Sequence, residues 1–526
     1  MGEKKSLWHF VLLGLALLGL LDSGYLTFEH YQPVSSVVCL GGIWSDCGRV
    51  LRSSYATILG VPLAVLGFVY YSVLVSAGIG LVFGKNKSLN KYLFIILTGV
   101  GFVFSLYFVY LQLVVIGKMC IYCMASGFIS SFLFLLSLLI FEKERKILFL
   151  KLTHFMYLFV VRRILFLFKS DSVHEGMVSF CQFIGRVGLG GVLGFFLKYE
   201  DIGLCQKIKG VDFINPIGLA AGFDYEGKLT RVLTDVGFGF QTVGTVTNMA
   251  YEGNPPPRLG RLPKSRSLLV NKGFKSSGVG SVIEKLAKTR SVGVFGVSVG
   301  RSNSAKLKTQ KQSISDIVTS FKKLEKAKLD FLYYELNISC PNLIYGGNIT
   351  FYVPEKLDEL LSAVGRLNLT RPVFVKMPIT ESDRDTLAMV KVIRKHNIAG
   401  VVIGNLWKDR KSVVFDRGEI EKAGLGNFSG LPTQERSNEL IELVYKNYGK
   451  KLVVIGCGGV FNAKDAYEKI RRGASLVQMV TGLVYEGPQL AAEINAGLVD
   501  LLAKDGFTKI TEAVGSIVSF QKKEKA

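Results

Sequence analysis

The sequence predicts two joined folds: an all-α four-helix transmembrane bundle, and after it an α/β barrel. Three observations predict them. Four apolar runs of 21 to 27 residues occupy the first third of the chain, each long enough to span a bilayer. From about Val211 onward, eight short β-rich runs alternate with helix-like stretches. A mean hydropathy of +0.34 coexists with a formal net charge of +23, a combination rare in a soluble chain. The 64 Lys and Arg against 41 Asp and Glu would ordinarily point to nucleic acid. The apolar excess is concentrated in the first 168 residues, however, so the charge is assigned to anionic lipid at a membrane surface and no nucleic-acid partner is expected. The 49% hydrophobic content excludes disorder. Eight cysteines in 526 residues are too sparse for a disulfide scaffold.

The predicted spans are Leu7–Phe28, Thr57–Phe83, Tyr92–Gly117 and Ile121–Phe141. The first reads as a retained span rather than a cleaved signal peptide. Lys4 and Lys5, then Lys85, Lys87 and Lys91, then Lys143, Arg145 and Lys146 fall in alternate loops. By the positive-inside rule these segments share the cytoplasmic side. The Thr27–Ala56 loop and the Lys118–Cys120 turn then face outward, and everything after residue 142 is cytoplasmic. Residues 147–168 are apolar but interrupted by Lys151, Arg162 and Arg163. They read as an interfacial amphipathic helix, or a hairpin with the next segment, in preference to a fifth span. Asp22 within the first span is a charge in lipid and a candidate functional residue.

Cys39 and Cys47 fall in the outward loop, and Cys120 and Cys123 form a Cys-x-x-Cys at the outward end of span four. A Cys-x-x-Cys at a helix N-terminus gains thiolate character and can store two electrons. The spacing alone leaves structural disulfides and a zinc site open. The stretch from Cys39 through Cys47-Gly-Arg-Val-Leu-Arg-Ser-Ser to Gly60-Val61-Pro62, followed by Cys120-x-x-Cys123, resembles the vitamin K epoxide reductase family over about residues 7–141. The resemblance implies that Cys120 and Cys123 are the quinone-side pair and that Cys39 and Cys47 shuttle electrons from an outside substrate. It also implies that Ser53 hydrogen-bonds the quinone, and that the donor is a separate thioredoxin-like protein. No metal is expected.

The eight β runs are Pro216–Ala221, Phe240–Val246, Gly293–Gly300, Phe331–Ser339, Pro372–Pro378, Gly400–Asn405, Leu452–Gly456 and Leu476–Thr481. Helical segments such as Pro354–Arg366, Asp383–His396 and Glu435–Tyr448 separate the later ones. Eight βα units in this length predict a TIM barrel, with a doubly wound sheet as the alternative. Barrel chemistry sits where strands end, and polar or glycine residues collect at seven of the eight ends. The glycine-rich turns after strands seven and eight suit a cofactor with a phosphate tail, and a buried Lys at a strand end suits an anionic reduced flavin.

Gly218-Leu219-Ala220-Ala221-Gly222-Phe223-Asp224, Gly253-Asn254-Pro255-Pro256-Pro257-Arg258-Leu259, Asn337–Asn342, Val375-Lys376 and Gly473–Gln478 resemble the dihydroorotate dehydrogenase family over about residues 155–499. The stretch before the barrel, with His174-Glu175, resembles its quinone-using, membrane-associated branch. That implies a helical membrane-associated cap at residues 155–198 forming a quinone tunnel to FMN. It implies FMN binding by Ala220, Ala221, Gly222, Thr245, Asn337, Lys376, Ser429, Gly430, Gly458, Gly459, Thr481 and Gly482. Asn271, Asn337, Asn342 and Asn405 would bind a dihydroorotate-like pyrimidine, amide against amide. Cys340 would be the base that takes the C5 proton while hydride moves from C6 to the flavin.

The departures bear on the substrate. Quinone-using relatives usually have Ser at the base position, where this chain has Cys340. The family's substrate-binding lysine after Gly-Phe-Asp is Tyr225 here, the usual Asn after strand three is Ser298, and the following loop is shortened to Asn271-Lys272-Gly273-Phe274. Lys228 or Lys272 is the candidate replacement for the lost charge. The expected division is 1–146 transmembrane domain, 147–205 cap and linker, 206–526 barrel, in a multi-pass protein of the bacterial inner membrane with the barrel on its cytoplasmic face. The expected function is FMN-dependent oxidation of dihydroorotate with electrons passed to membrane quinone, fused to a quinone-linked thiol-disulfide oxidoreductase. The alternatives are a different barrel substrate, or a four-span unit that is only an anchor.

Overall fold

The structure is a computed structural model describing residues 2–32, 39, 45–84, 87–346 and 349–518, with side chains from residue 7 onward. The side chains of Lys4 and Lys5, all of Lys85, and much of the Thr27–Ala56 loop lie outside the described residues. The chain separates into two compact units, Met1–Leu148 and Phe149–Ala526.

The first unit is an all-α bundle of α1 (Gly2–His30), α2 (Leu63–Phe83), α3 (Lys87–Tyr110) and α4 (Ile121–Ile140). Four stretches are long and apolar enough to cross a membrane: Leu7–His30, Leu63–Phe83, Lys87–Ile116 and Ile121–Ile140. The third includes a π-helical turn, Leu111–Ile116, after α3. The second begins six residues later than the hydropathy pattern predicts. Residues 57–62 instead form a minimal hairpin, Thr57–Ile58 against Val61–Pro62. Gly60 supplies the positive φ of its turn, +80°, and Pro62, with no N–H to donate, caps the helix that follows. Interhelical hydroxyl bonds join the bundle: Tyr70 Oη to Ser130 Oγ at 3.1 Å and Thr98 Oγ1 to Ser137 Oγ at 3.2 Å. Such bonds hold helices together where lipid removes the hydrophobic drive. Polar contacts tie loops together at each end of the bundle. The Asp46 N–H donates to the Met119 carbonyl at 2.9 Å, joining the two segments expected to face outward. Lys91 pairs with Glu144 at 2.8 Å, joining two of the basic ones.

The basic-interrupted segment is helical over Glu142–Met156 and Arg162–Leu165 with a π turn, Tyr157–Val161, between them, and from Phe149 onward it belongs to the second unit. Three of its polar groups bond to the barrel. His154 Nδ1 lies 3.0 Å from Glu493, Tyr157 Oη donates to the Val484 carbonyl at 2.7 Å, and Arg162 donates to the Tyr485 carbonyl at 2.9 Å. Helices α5 (Ser170–Arg186) and α6 (Gly190–Leu197) follow, bent 103° to each other.

The barrel strands are β1 (Ile217–Leu219), β2 (Phe240–Val246), β3 (Val294–Val299), β4 (Tyr333–Asn337), β5 (Val373–Met377), β6 (Gly400–Ile403), β7 (Val453–Cys457) and β8 (Leu476–Met479). They close as a parallel ring in sequence order, β8 pairing with β1. Seven lie within their predicted runs and β7 extends one residue past its own, to Cys457, and the doubly wound alternative is excluded by closure. The two-residue side-chain period of a strand sorts the interior into layers. Phe240, Tyr333, Phe374, Ile455 and Leu476 pack in one apolar cluster. Two residues further along, Thr242, Glu335, Lys376 and Gln478 form a polar layer, all buried. Another step reaches the strand ends. Gly218 admits the Phe240 ring, since a Cβ there would lie 2.2 Å from it. Gly218→Ala is therefore expected to destabilise the protein by roughly 1–3 kcal/mol through overpacking, read as a lowered Tm of the detergent-solubilised chain.

Candidate active site

A cavity of about 500 Å³ opens over the C-terminal ends of the barrel strands and runs beneath the two bent helices. Every residue expected around the cofactor lines it. Ala220, Ala221 and Gly222 follow β1, Thr245 lies near the end of β2, Asn337 ends β4 and Lys376 is on β5. Ser429 and Gly430 come from a strand, Asn427–Gly430, that pairs outside the barrel with Ser267–Val270. Gly458 and Gly459 follow β7, and Thr481 and Gly482 follow β8. At the last two turns the backbone has no room for side chains. A Cβ on Gly458 would lie 2.5 Å from Thr433 Oγ1, one on Gly459 2.3 Å from Gln434 Cβ, and one on Gly482 2.1 Å from the Val460 carbonyl. Bare backbone N–H groups together with a buried ammonium suit a flat, phosphate-bearing anionic cofactor such as FMN.

Lys376 is almost wholly buried, and its Nζ lies 3.9 Å from Oε1 of the fully buried Glu335. Burial opposes the ammonium, and Glu335 with Cys457 and Cys340 outweighs it, holding Lys376 above its usual range. Glu335 is shared. Ser298 Oγ donates to it at 3.0 Å and Gln478 Nε2 at 3.2 Å. Ser298 Oγ and Thr245 Oγ1 lie 3.0 Å apart, and Asn337 Nδ2 donates to Thr245 Oγ1 at 3.0 Å. The network thus runs from the polar layer to the cavity wall. The sequence reading missed Glu335. Its signal was a carboxylate at an inward position of a run otherwise apolar, two residues after Tyr333 and two before Asn337.

Of the asparagines expected to bind the ring, Asn337, Asn342 and Asn405 line the cavity and Asn271 does not. Asn271 Oδ1 instead accepts from Asn254 Nδ2 at 2.7 Å, and the same Nδ2 group holds the Asn342 backbone carbonyl at 2.9 Å. Asn342 Oδ1 accepts from Asn427 at 2.6 Å, and Asn405 Nδ2 donates to Ser339 Oγ at 2.6 Å. Cys340 stands among them. Burial pushes its thiol up to about 11, against the pull of the Asn342 backbone N–H, Arg301 and Lys376. Arg301, buried directly after β3, was also missed, because the end of strand three was the one not scored as polar. The cap side of the cavity is apolar: Val173, Met177, Phe180 and Ile184 from α5, Leu193 and Leu197 from α6, with His174 at the inner end. The His174 Nε2 atom lies 2.8 Å from the Phe223 carbonyl.

The cysteines of the first unit gather at one point. Cys47 and Cys120 are fully buried in an apolar cluster against which Cys39 and Cys123 pack. Cys39 and Cys47 are disulfide-bonded, while Cys120 and Cys123 carry free sulfurs. Cys120 caps α4, its Sγ accepting from the Cys123 N–H at 3.4 Å, and its own N–H donates to Gln112 Oε1 at 2.9 Å. Asp22 on α1 is hydrogen-bonded to Ser126, one turn beyond Cys123. Ser53 Oγ donates to the Val50 carbonyl at 2.9 Å.

Residues 203–502 match the family model described as dihydroorotate dehydrogenase, and residues 10–138 that of the vitamin K epoxide reductase family. The dihydroorotate dehydrogenase (quinone) of Acaryochloris marina is 35% identical over 361 residues, covering 66% of this chain and 94% of that relative. The protein of the same description from Mycolicibacterium smegmatis is 34% identical, covering 68% and 99%. Among solved structures, ligand-free DHODH from Eimeria tenella superposes with a TM-score of 0.58 at 25% identity, covering 66% of this chain and 99% of that one.

Gly482→Val would drive a side chain into the Val460 carbonyl. The expected outcome is near-complete loss of flavin absorbance per mole of purified protein, with the far-ultraviolet circular dichroism retained.

Proposed function

The chain belongs to the dihydroorotate dehydrogenase family and carries a vitamin K epoxide reductase family domain ahead of its barrel, and from that premise we propose that the barrel oxidises dihydroorotate to orotate with FMN and passes the electrons to membrane quinone. The observation that carries this is one continuous cavity, polar around the strand ends and apolar beneath the cap. One end suits an amide-bearing anion, the other a hydrophobic electron acceptor. FMN, when bound, accepts a hydride from the ring and delivers its electrons to quinone. The chain's own residues do the rest. Asn337, Asn342 and Asn405 orient the ring through paired amide bonds. Cys340, as thiolate, takes the C5 proton. Lys376 supplies positive charge at the cofactor site, with Glu335 keeping it in place. The apolar slot from α5 and α6 excludes water and admits quinone, and the exposed Phe180 and Phe183 on α5 suit contact with lipid. Residues 1–146, 147–205 and 206–526 serve as bundle, cap with linker, and barrel in this reading.

The first unit acts as a thiol-disulfide oxidoreductase linked to quinone, with Cys120 and Cys123 as the pair facing quinone, Cys39 and Cys47 exchanging with a thioredoxin-like protein outside, and Ser53 beside the quinone. Support comes from four sulfurs gathered in one cluster, an arrangement a membrane anchor does not need. We place the whole in a bacterial inner membrane with the barrel on the cytoplasmic side, where the basic segments gather.

Anaerobic addition of dihydroorotate to the FMN-loaded protein is expected to bleach the flavin, and quinone to restore it; bleaching by dithionite alone would sink the dihydroorotate reading. Because the base works only when deprotonated and burial pushes the Cys340 thiol up to about 11, the bleaching rate should climb with pH through the neutral and alkaline range, by up to about tenfold per unit. Cys340→Ala should lower it at least ~100-fold. Cys120→Ser or Cys123→Ser should abolish quinone-dependent thiol oxidation and leave dihydroorotate bleaching intact.

A further inference from the structure

The chain has Tyr225 where the family resemblance implies a substrate-binding lysine, so an anionic substrate lacks its expected cation. Four cationic side chains line the cavity: Arg261, Lys272, Lys275 and Lys376. Three are committed elsewhere. Arg261 donates to Ser170 Oγ and to the carbonyls of Leu165 and Phe168, tying the cap to the barrel. Lys275 pairs with Glu175 at 2.9 Å. Lys376 is held by Glu335 at the cofactor site. Lys228, the other candidate replacement, pairs with Glu226 at 3.3 Å and is not among the cavity's lining residues.

Lys272 is placed differently. It is 5% exposed, and its Nζ stands 5.2 Å from the centre of the Tyr225 ring. Its ion-pair partner among the described residues is Asp171 Oδ1, at 3.4 Å, a distance that leaves donor capacity unspent. Asp171 is otherwise engaged, its Oδ2 accepting from the Arg258 and Leu259 backbone N–H groups at 3.1 and 3.2 Å. Gly273, with φ +62°, bends the chain directly after Lys272, and its carbonyl is fixed by Asn303 Nδ2 at 3.1 Å. The shortening that turns Asn271 out of the cavity therefore leaves the next residue in its wall. A buried ammonium with a single, long ion pair gains most from a second anion.

We propose that Lys272, lying over the Tyr225 ring, binds the carboxylate of the barrel's substrate in place of the missing lysine at position 225. This rests on the reading of the substrate as a carboxylated dihydropyrimidine. Because Asp171 belongs to the cap helix α5, the substrate carboxylate and the cap compete for one ammonium.

The test compares FMN-loaded wild type with Lys272→Met, Lys272→Arg, Asp171→Asn and Lys228→Ala. Three quantities are read: the dihydroorotate concentration giving half-maximal bleaching rate, the thermal shift produced by orotate, and flavin content. Losing one charge-assisted bond should raise the half-maximal concentration of Lys272→Met about tenfold to a hundredfold and remove the orotate shift, with flavin content unchanged. Lys272→Arg should recover most of both. Asp171→Asn should leave the concentration unchanged or lower it, and Lys228→Ala should match wild type. If Asp171→Asn weakens substrate as much as Lys272→Met, the lysine serves only to clamp the cap and the proposal is overturned. If Lys272→Met binds and reduces as wild type does, the proposal falls while the dihydroorotate reading stands. If wild type neither bleaches with dihydroorotate nor shifts with orotate, that reading fails and this one with it.

Discussion

The ion pair between Lys376 and Glu335 is the constraint around which the barrel interior is arranged. Two opposite charges in the middle layer of a closed barrel are tolerable only together and only when their remaining hydrogen-bonding capacity is met. Four strands contribute to meeting it. Ser298 from β3 and Gln478 from β8 donate to Glu335 on β4, and Lys376 on β5 faces it. The in-register pairing of Ser298 with Glu335, and of Asn337 with Lys376, brings these side chains to adjacent strands. A shift of one residue in either register would turn the charges outward among the helices.

The pair also explains how the chain accommodates one of its departures. The serine near the end of β3 is shorter than the expected asparagine, yet its hydroxyl both donates to Glu335 and lies 3.0 Å from Thr245 Oγ1. The network beneath the cofactor site stays continuous because Glu335 supplies the acceptor. The substitution at 225 is of another kind, because tyrosine cannot carry the charge of lysine. Its neighbourhood holds a cation contributed by a different loop, so the two departures nearest the ring, Tyr225 and the shortened Asn271 loop, are spatially one change.

The barrel was legible because its signal is periodic. Eight runs of β-branched and aromatic residues ending in Gly, Asn, Thr or Lys can be counted without knowing how they pair. The individual side chains were less legible where a role depends on direction. Asn271 reads like Asn337 and Asn342 in sequence, but one residue fewer in its loop turns its amide toward Asn254. Glu335 is a single letter in a buried strand, and only the closed ring reveals that Lys376, Ser298 and Gln478 converge on it. Hydropathy located the four spans but carried the second through Thr57–Pro62, because an apolar hairpin and an apolar helix score alike. The proline and the glycine turn decide between them.

The bundle poses a geometric question that the cysteine cluster answers. Thiol-disulfide exchange needs a sulfur to attack another sulfur, so a four-cysteine relay works only if both pairs reach a common point. Cys39 is eight residues from Cys47 on a loop, and Cys120 lies more than seventy residues further along. The bridge between Ser45 and Met119 ties the loop of the first pair to the turn that begins the second, and the cluster around Cys47 and Cys120 follows from it. Cys39 and Cys47 are joined while Cys120 and Cys123 are free. Two electrons then separate this state from one with all four sulfurs reduced, the same number that oxidation of one dihydropyrimidine releases. In the proposed reading each unit handles electrons in pairs, the unit in which a quinone is fully reduced.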